Sequence, residues 1–254
     1  PNGDGWPDLV KTNFESEVNN LYLNSPSGLF SDRAYRAGLG VSMPPMGWGA
    51  VFLDVDRDGR LDLFFANGHV YPQVESGELQ YPYGQVNMLL LGGFAAGHPT
   101  FADVSGRAGP GLQVRRVSRG VAVGDYDGDG DLDLAVNNLD GAPELLRNDT
   151  VPSGAWLKVR TLGTRSNRDG LGARVDLLAG GRHRVREVRT SRGFLSSSDR
   201  TLLFGLGQLT QVEGLTVSWP SGLTERFKVE GLNRLLLVQE GQGEPAQRWP
   251  RPLP

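Results

Sequence analysis

The stretch Asp54-Val55-Asp56-Arg57-Asp58-Gly59-Arg60-Leu61-Asp62-Leu63 returns 71 residues later as Asp125-Tyr126-Asp127-Gly128-Asp129-Gly130-Asp131-Leu132-Asp133-Leu134. A shorter copy, Asn2-Gly3-Asp4-Gly5-Trp6-Pro7-Asp8-Leu9, enters at the third position of the motif, 54 residues ahead of the first (Asp8 to Asp62). Self-similarity at such a period is the mark of a repeat architecture. The likeness extends past the loops, since Asn20-Leu-Tyr-Leu-Asn24 with Phe30-Ser-Asp32 matches Asn87-Met-Leu-Leu-Leu91 with Phe101-Ala-Asp103. Most of the difference between the two intervals falls in the Tyr-, Pro- and Gly-rich stretch from Gly68 to Gln85.

Between the Asp loops lie runs such as Val51-Phe-Leu, Leu63-Phe-Phe and Met88-Leu-Leu-Leu91, too short and too rich in β-formers for helices. Four short strands per unit of this length predict an all-β fold of β-propeller blades. Residues 48–105 are expected to form one complete blade, with a partial blade on either side. Two or three blades cannot close a ring and so cannot remove their sheet edges. Pro1 also opens inside a motif, so the chain is read as a fragment with further blades, and any leader peptide, upstream.

The loops predict bound calcium. A hard divalent cation takes six to eight oxygens at about 2.3–2.6 Å, and alternate side chains of a tight loop converge on one point. Asp54, Asp56, Asp58 and Asp62 offer carboxylates, with the Arg60 carbonyl beside them, and Gly59 permits the sharp turn. By the same spacing Asp125, Asp127, Asp129, Asp133 and the Asp131 carbonyl form a second site. Asn2, Asp4, Asp8 and the Trp6 carbonyl form a truncated third. The plain alternative is an acidic surface turn, for which Asp and Gly are ordinary residues. Against it, two carboxylates about 4 Å apart repel by roughly 4 kcal/mol at an effective dielectric of 20, and each loop holds several such pairs. An EF-hand would need a Glu at position 12 and flanking helices. Here that position is Phe65 or Val136, inside a predicted strand.

Charge divides the chain. Residues 1–150 carry 10 Lys or Arg against 20 Asp or Glu, whereas residues 151–240 carry 14 against 8. An acidic first part argues against a nucleic-acid backbone as partner, which would call for clustered cations. The chain has no cysteine, which excludes disulfides, thiolate metal sites and cysteine nucleophiles. No apolar run approaches the ~20 residues that span a bilayer. Alternation in Leu157-Lys-Val159-Arg and Leu215-Thr-Val217-Ser-Trp219 predicts a compact β-sandwich or barrel of six to eight strands over residues 151–240. Residues 241–254 are expected to be a disordered Pro-rich tail.

The segments Gly120-Val-Ala-Val-Gly-Asp125-Tyr-Asp-Gly-Asp-Gly-Asp-Leu-Asp133 and Gly49-Ala-Val-Phe-Leu-Asp54 resemble FG-GAP or VCBS repeats, the calcium-binding blades of integrin-α-type propellers. Ser166-Asn-Arg-Asp-Gly-Leu-Gly-Ala173, Phe204-Gly-Leu-Gly207 and Val217-Ser-Trp-Pro-Ser-Gly222 resemble the ASPIC/UnbV domain. The pairing is similar to the cartilage acidic protein family and its bacterial relatives. The resemblance implies a secreted or cell-surface protein that acts by interaction or adhesion; a protein or a carbohydrate is expected as its partner. Loops of this kind in extracellular modules bind calcium at roughly 10⁻⁴–10⁻³ M, which favours a calcium-rich compartment. A rival reading makes the chain the accessory C-terminal part of a secreted enzyme whose catalytic part lies upstream.

No constellation of nucleophile, base and orienting group stands out, and the chain is not expected to be an enzyme in itself. His69 is expected to serve its loop by hydrogen bonding, with ligand contact as the lesser option, and His98 to sit in a turn before Pro99. Arg182-His183-Arg184-Val185-Arg186 alternates as a solvated strand face, with Arg184, Arg186 and Arg189 a lesser candidate for anions. Asn167, Arg168 and Asp169 form a structural turn. Gly170-Leu-Gly172 and Gly205-Leu-Gly207 open no helix and are not phosphate loops. Trp48, Trp156 and Trp219 are expected to pack the two cores.

Overall fold

In the computed structural model, which describes residues 1–76, 81–139, 141–150 and 154–248, every regular element apart from short 3-10 turns is a strand. Three antiparallel meanders come first: β1 (Leu9–Lys11), β2 (Asn20–Leu23) and β3 (Ser31–Asp32); β4 (Gly47–Leu53), β5 (Asp62–Asn67), β6 (Met88–Ala95) and β7 (His98–Asp103); and β8 (Ser118–Gly124), β9 (Asp133–Asn138) and β10 (Glu144–Leu146). The second is the complete four-stranded blade, in the order of the sequence. Register repeats as the motif does. Leu53 pairs with Asp62 across the first Asp loop and Gly124 with Asp133 across the second, and both β4 and β8 carry a register shift near their start.

β5 is buried at every position because it has a neighbour on each face. Its side chains alternate, so Leu63 and Phe65 enter the core shared with Leu21, Leu39 and Leu90, while Phe64 and Ala66 enter the core shared with Val51, Val121 and Val136. A strand covered on both sides reads as a continuous apolar run, and this packing makes the arrangement propeller-like.

The second part comprises β11 (Ala155–Leu162), β12 (Arg174–Ala179), β13 (Arg182–Glu187), β14 (Leu202–Gly207), β15 (Gly214–Ser218), β16 (Thr224–Phe227), β17 (Arg234–Gln239) and β18 (Glu244–Pro245). Two sheets, ordered β14-β11-β17 and β13-β12-β15-β16-β18, enclose a core that includes Leu157, Val175, Phe204, Leu215 and Trp219. Pairing of β11 with β17 is parallel.

Two expectations change here. Of the tail from residue 241, Glu244 and Pro245 form β18, held where Glu225 accepts the backbone N–H groups of Gly241 (3.0 Å) and Gly243 (2.9 Å). The rest of the tail from 249 onward lies outside the described residues. His98 opens β7 in place of a turn, because the reversal is made just before it by Ala96 and Gly97, both at positive φ.

Candidate metal centre at the interface of the two parts

Each Asp loop is drawn together by its own backbone N–H groups. Asp58 accepts from Arg60, Asp129 from Asp131 and Asp4 from Trp6, all at 2.8 Å. The last aspartate braces the loop against the next strand: Asp62 accepts from Val55 and Gly92, Asp133 from Tyr126 and Asn148, and Asp8 from Asn24. Gly59 donates to Asp54 and Gly130 to Asp125, both at 3.1 Å. Gly59 and Gly130 lie at φ 87° and 102°, which a side chain would strain.

This folding brings carboxylate oxygens of Asp54, Asp56 and Asp58 within 4.8 Å of one another, and likewise those of Asp125, Asp127 and Asp133. Asp62 stands outside the first group, with both oxygens on backbone N–H groups, and Asp129 outside the second. Asp131 turns its side chain out to Arg57 (2.9 Å). At the truncated copy Asn2 donates to Asp4 (2.7 Å) and Asp8 pairs with the amino terminus of Pro1; no such three-acid group forms there among the described residues.

The first loop fits a divalent cation on a particular atom. Asp54 is 1% exposed, and its Oδ1 is buried with no hydrogen-bond partner. Burial, reinforced by the charges of Asp58 and Asp56, pushes its carboxyl up to about 7, against the pull of Arg186. Burial likewise lifts Asp62 to about 8. Carboxylates so placed are costly to ionise unless an adjacent cation compensates them, and an all-oxygen donor set suits a hard ion such as calcium.

Both loops face the second part. Gly205 on β14 donates to Asp54 (3.2 Å), Gly207 donates to the Arg57 carbonyl (2.9 Å), and Lys158 on β11 pairs with Asp125. A Cβ on Gly205 would lie 2.2 Å from the Asp54 carboxylate, and one on Gly130 2.6 Å from the Trp156 ring. These glycines are where the two parts make close approach. The sequence marks Gly205-Leu-Gly207 only as part of the ASPIC/UnbV resemblance, with no contact assigned to it, and Lys158, one residue in an alternating strand, carries no local signal at all.

Further along, the excursion between β13 and β14 reaches the exposed edge of the blades. Ser198 accepts from Val123 (3.1 Å), Asp199 donates back to Val123 (3.0 Å), and Phe194 meets Trp48 edge to face at 5.0 Å. A cleft of about 1500 Å³ lies between the parts, bordered by Trp48, Lys158, Arg182, Arg184, Arg186 and Arg189. The strand expected to show a solvated basic face therefore turns it toward the blades. Arg184 and Arg186 are only partly exposed, and burial lowers both, Arg186 to about 10. Trp219 packs in the sandwich core as expected, whereas Trp48 and Trp156 lie at the interface.

His69 is fully buried, accepts the N–H of Tyr71 (3.0 Å) and faces Glu15 (3.2 Å). Asn167 caps its own turn through Leu171 and Asp169 pairs with Arg200, so that turn is structural.

With this geometry in place, residues 2–65 match the family model of the FG-GAP-like repeat and residues 163–245 that of ASPIC and UnbV. The chain thus carries a match to an FG-GAP-like repeat followed by a match to an ASPIC/UnbV domain. Among curated proteins it is similar to human cartilage acidic protein 1, at 28% identity over 261 residues. That alignment covers 99% of this chain and 37% of the relative, so the chain spans little more than a third of that protein's length.

Proposed function

We propose that this chain is a calcium-binding interaction or scaffold segment that works outside the cytoplasm, binding a protein or carbohydrate and performing no catalysis of its own. Calcium bound by Asp54, Asp56 and Asp58 would hold the loop between β4 and β5 rigid and, through Asp54, anchor the ASPIC/UnbV domain at Gly205. Asp125, Asp127 and Asp133 offer the equivalent place on the next blade. The single observation that carries the reading is the buried, unpartnered Asp54 Oδ1 among three converging carboxylates.

Location outside the cytoplasm is supported by the similarity to a cartilage protein and by the weak calcium affinity expected of such loops. Among the described residues no helix is long and apolar enough to cross a membrane. His69 serves its loop, which supports binding over catalysis.

Calorimetric titration with calcium chloride tests the proposal. The intact chain is expected to bind calcium with a dissociation constant between about 0.1 and 1 mM. Asp54→Asn is expected to abolish the tighter site without unfolding the chain. Equal heats for the two proteins would contradict the assignment.

A further inference from the structure

The two Asp loops share one hydrogen-bond pattern and differ in what the second part sets against the first aspartate. In both, the first aspartate accepts from the glycine five residues on, at 3.1 Å, and the last accepts from the residue after the first. In the 54–62 loop the second part contributes a neutral donor, the N–H of Gly205, and leaves Asp54 Oδ1 without a partner. In the 125–133 loop the Lys158 ammonium pairs with Asp125 Oδ2, and Oδ1 accepts from Gly128 (2.7 Å). The pair is buried, with side-chain exposures of 11% for Lys158 and 7% for Asp125.

Lys158 is firmly placed. β11 is paired on one side with β14 and on the other with β17, and its neighbours Leu157 and Val159 are fully buried in the sandwich core. The ammonium lies 5.0 Å from the Trp156 ring, and that ring closes over Gly130 of the same loop. The backbone is therefore fixed, and only the side chain is free to withdraw.

We infer that Lys158 is a built-in counter-cation of the 125–133 loop, so that this loop takes a divalent ion only by exchanging it for Lys158, whereas at Asp54 the second part sets only the neutral N–H of Gly205 against the carboxylate. The inference rests on the calcium reading above and makes the two sites unequal. One ammonium neutralises one of the three carboxylates of Asp125, Asp127 and Asp133, leaving the loop anionic enough to attract a divalent ion. Binding there must break a buried ion pair that binding at Asp54 does not, which weakens the second site and couples its filling to release of β11's side chain from the blade.

Calcium titration of the intact chain and of Lys158→Met, which keeps most of the buried stem, decides the matter. The unaltered chain is expected to show two sites differing at least tenfold in affinity. Lys158→Met is expected to tighten the weaker one by about tenfold, and Asp54→Asn to remove only the stronger. An unchanged weaker site in Lys158→Met, or two equal sites in the unaltered chain, overturns the inference while leaving the calcium reading intact. No binding by either protein overturns both, and a site gained only in Lys158→Met sustains the inference while sinking the assignment at Asp54.

Should Lys158→Met fail to fold, acylation of the unaltered chain with acetic anhydride, followed by peptide mass spectrometry, reads the same exchange. Lys158 is expected to be protected in chelator and labelled several-fold faster in 10 mM calcium chloride, relative to Lys228. A calcium-independent rate overturns the inference.

Discussion

Glu240 is 1% exposed and accepts hydrogen bonds from the backbone of Thr164, Arg165 and Ser166 and from the hydroxyls of Ser166 and Ser221. Burial alone would raise its carboxyl, but these donors bring it down from 4.5 to about 2. A carboxylate depressed in the folded state stabilises fully above the unfolded value, and the contribution is lost as pH falls from 4.5 toward 2. Glu240→Gln is expected to cost about 2–3 kcal/mol at pH 7 and to flatten the stability profile below pH 4.5, measured by urea unfolding across that range. A profile parallel to that of the unaltered chain would contradict this. At Gly205 the crowding of Asp54 sets a second expectation: Gly205→Ala forces the backbone of β14 away from the loop and costs about 1–3 kcal/mol in the same measurement. The spacing of the aspartates alone announces an oxygen-lined loop, because alternate residues of a tight turn must converge. Which partner covers each aspartate depends on contacts with residues 33 and 151 positions away, so nothing local marks Lys158 or Gly205 as a partner of these loops.

The strands divide in the same way. β5 was readable from the apolar run Leu63-Phe64-Phe65, since a strand covered on both faces loses its alternation. β13 misled, because alternation of Arg with His and Val gives the same pattern whether the basic face meets water or an acidic neighbour. Arg184 lies against Gly59, and Arg186 packs with its guanidinium carbon 5.6 Å from the Phe204 ring. The pairing of β16 with Glu244 and Pro245 was hidden by the polar, Pro-rich composition of the tail. For β5, truncation of the fully buried Phe65 to Ala is expected to cost about 3–5 kcal/mol in denaturant melts. A loss under 1 kcal/mol would mean that the two blades do not share this core.

Across the whole molecule, the acidic loops of the blades and the basic strands of the ASPIC/UnbV domain meet at one interface, which explains why charge is so unevenly divided along the chain. Buried carboxylates at that interface are costly to ionise without a compensating cation, so the proposed binding of calcium would be linked to the stability of the chain. A site with a dissociation constant near 0.1 mM adds about 1.4 kcal/mol at 1 mM calcium. The decisive measurement is thermal unfolding of the intact chain in 1 mM calcium chloride and in excess chelator. The loops predict a Tm higher by about 3–6 °C with calcium, and superimposable transitions would contradict the claim that these carboxylates hold a metal.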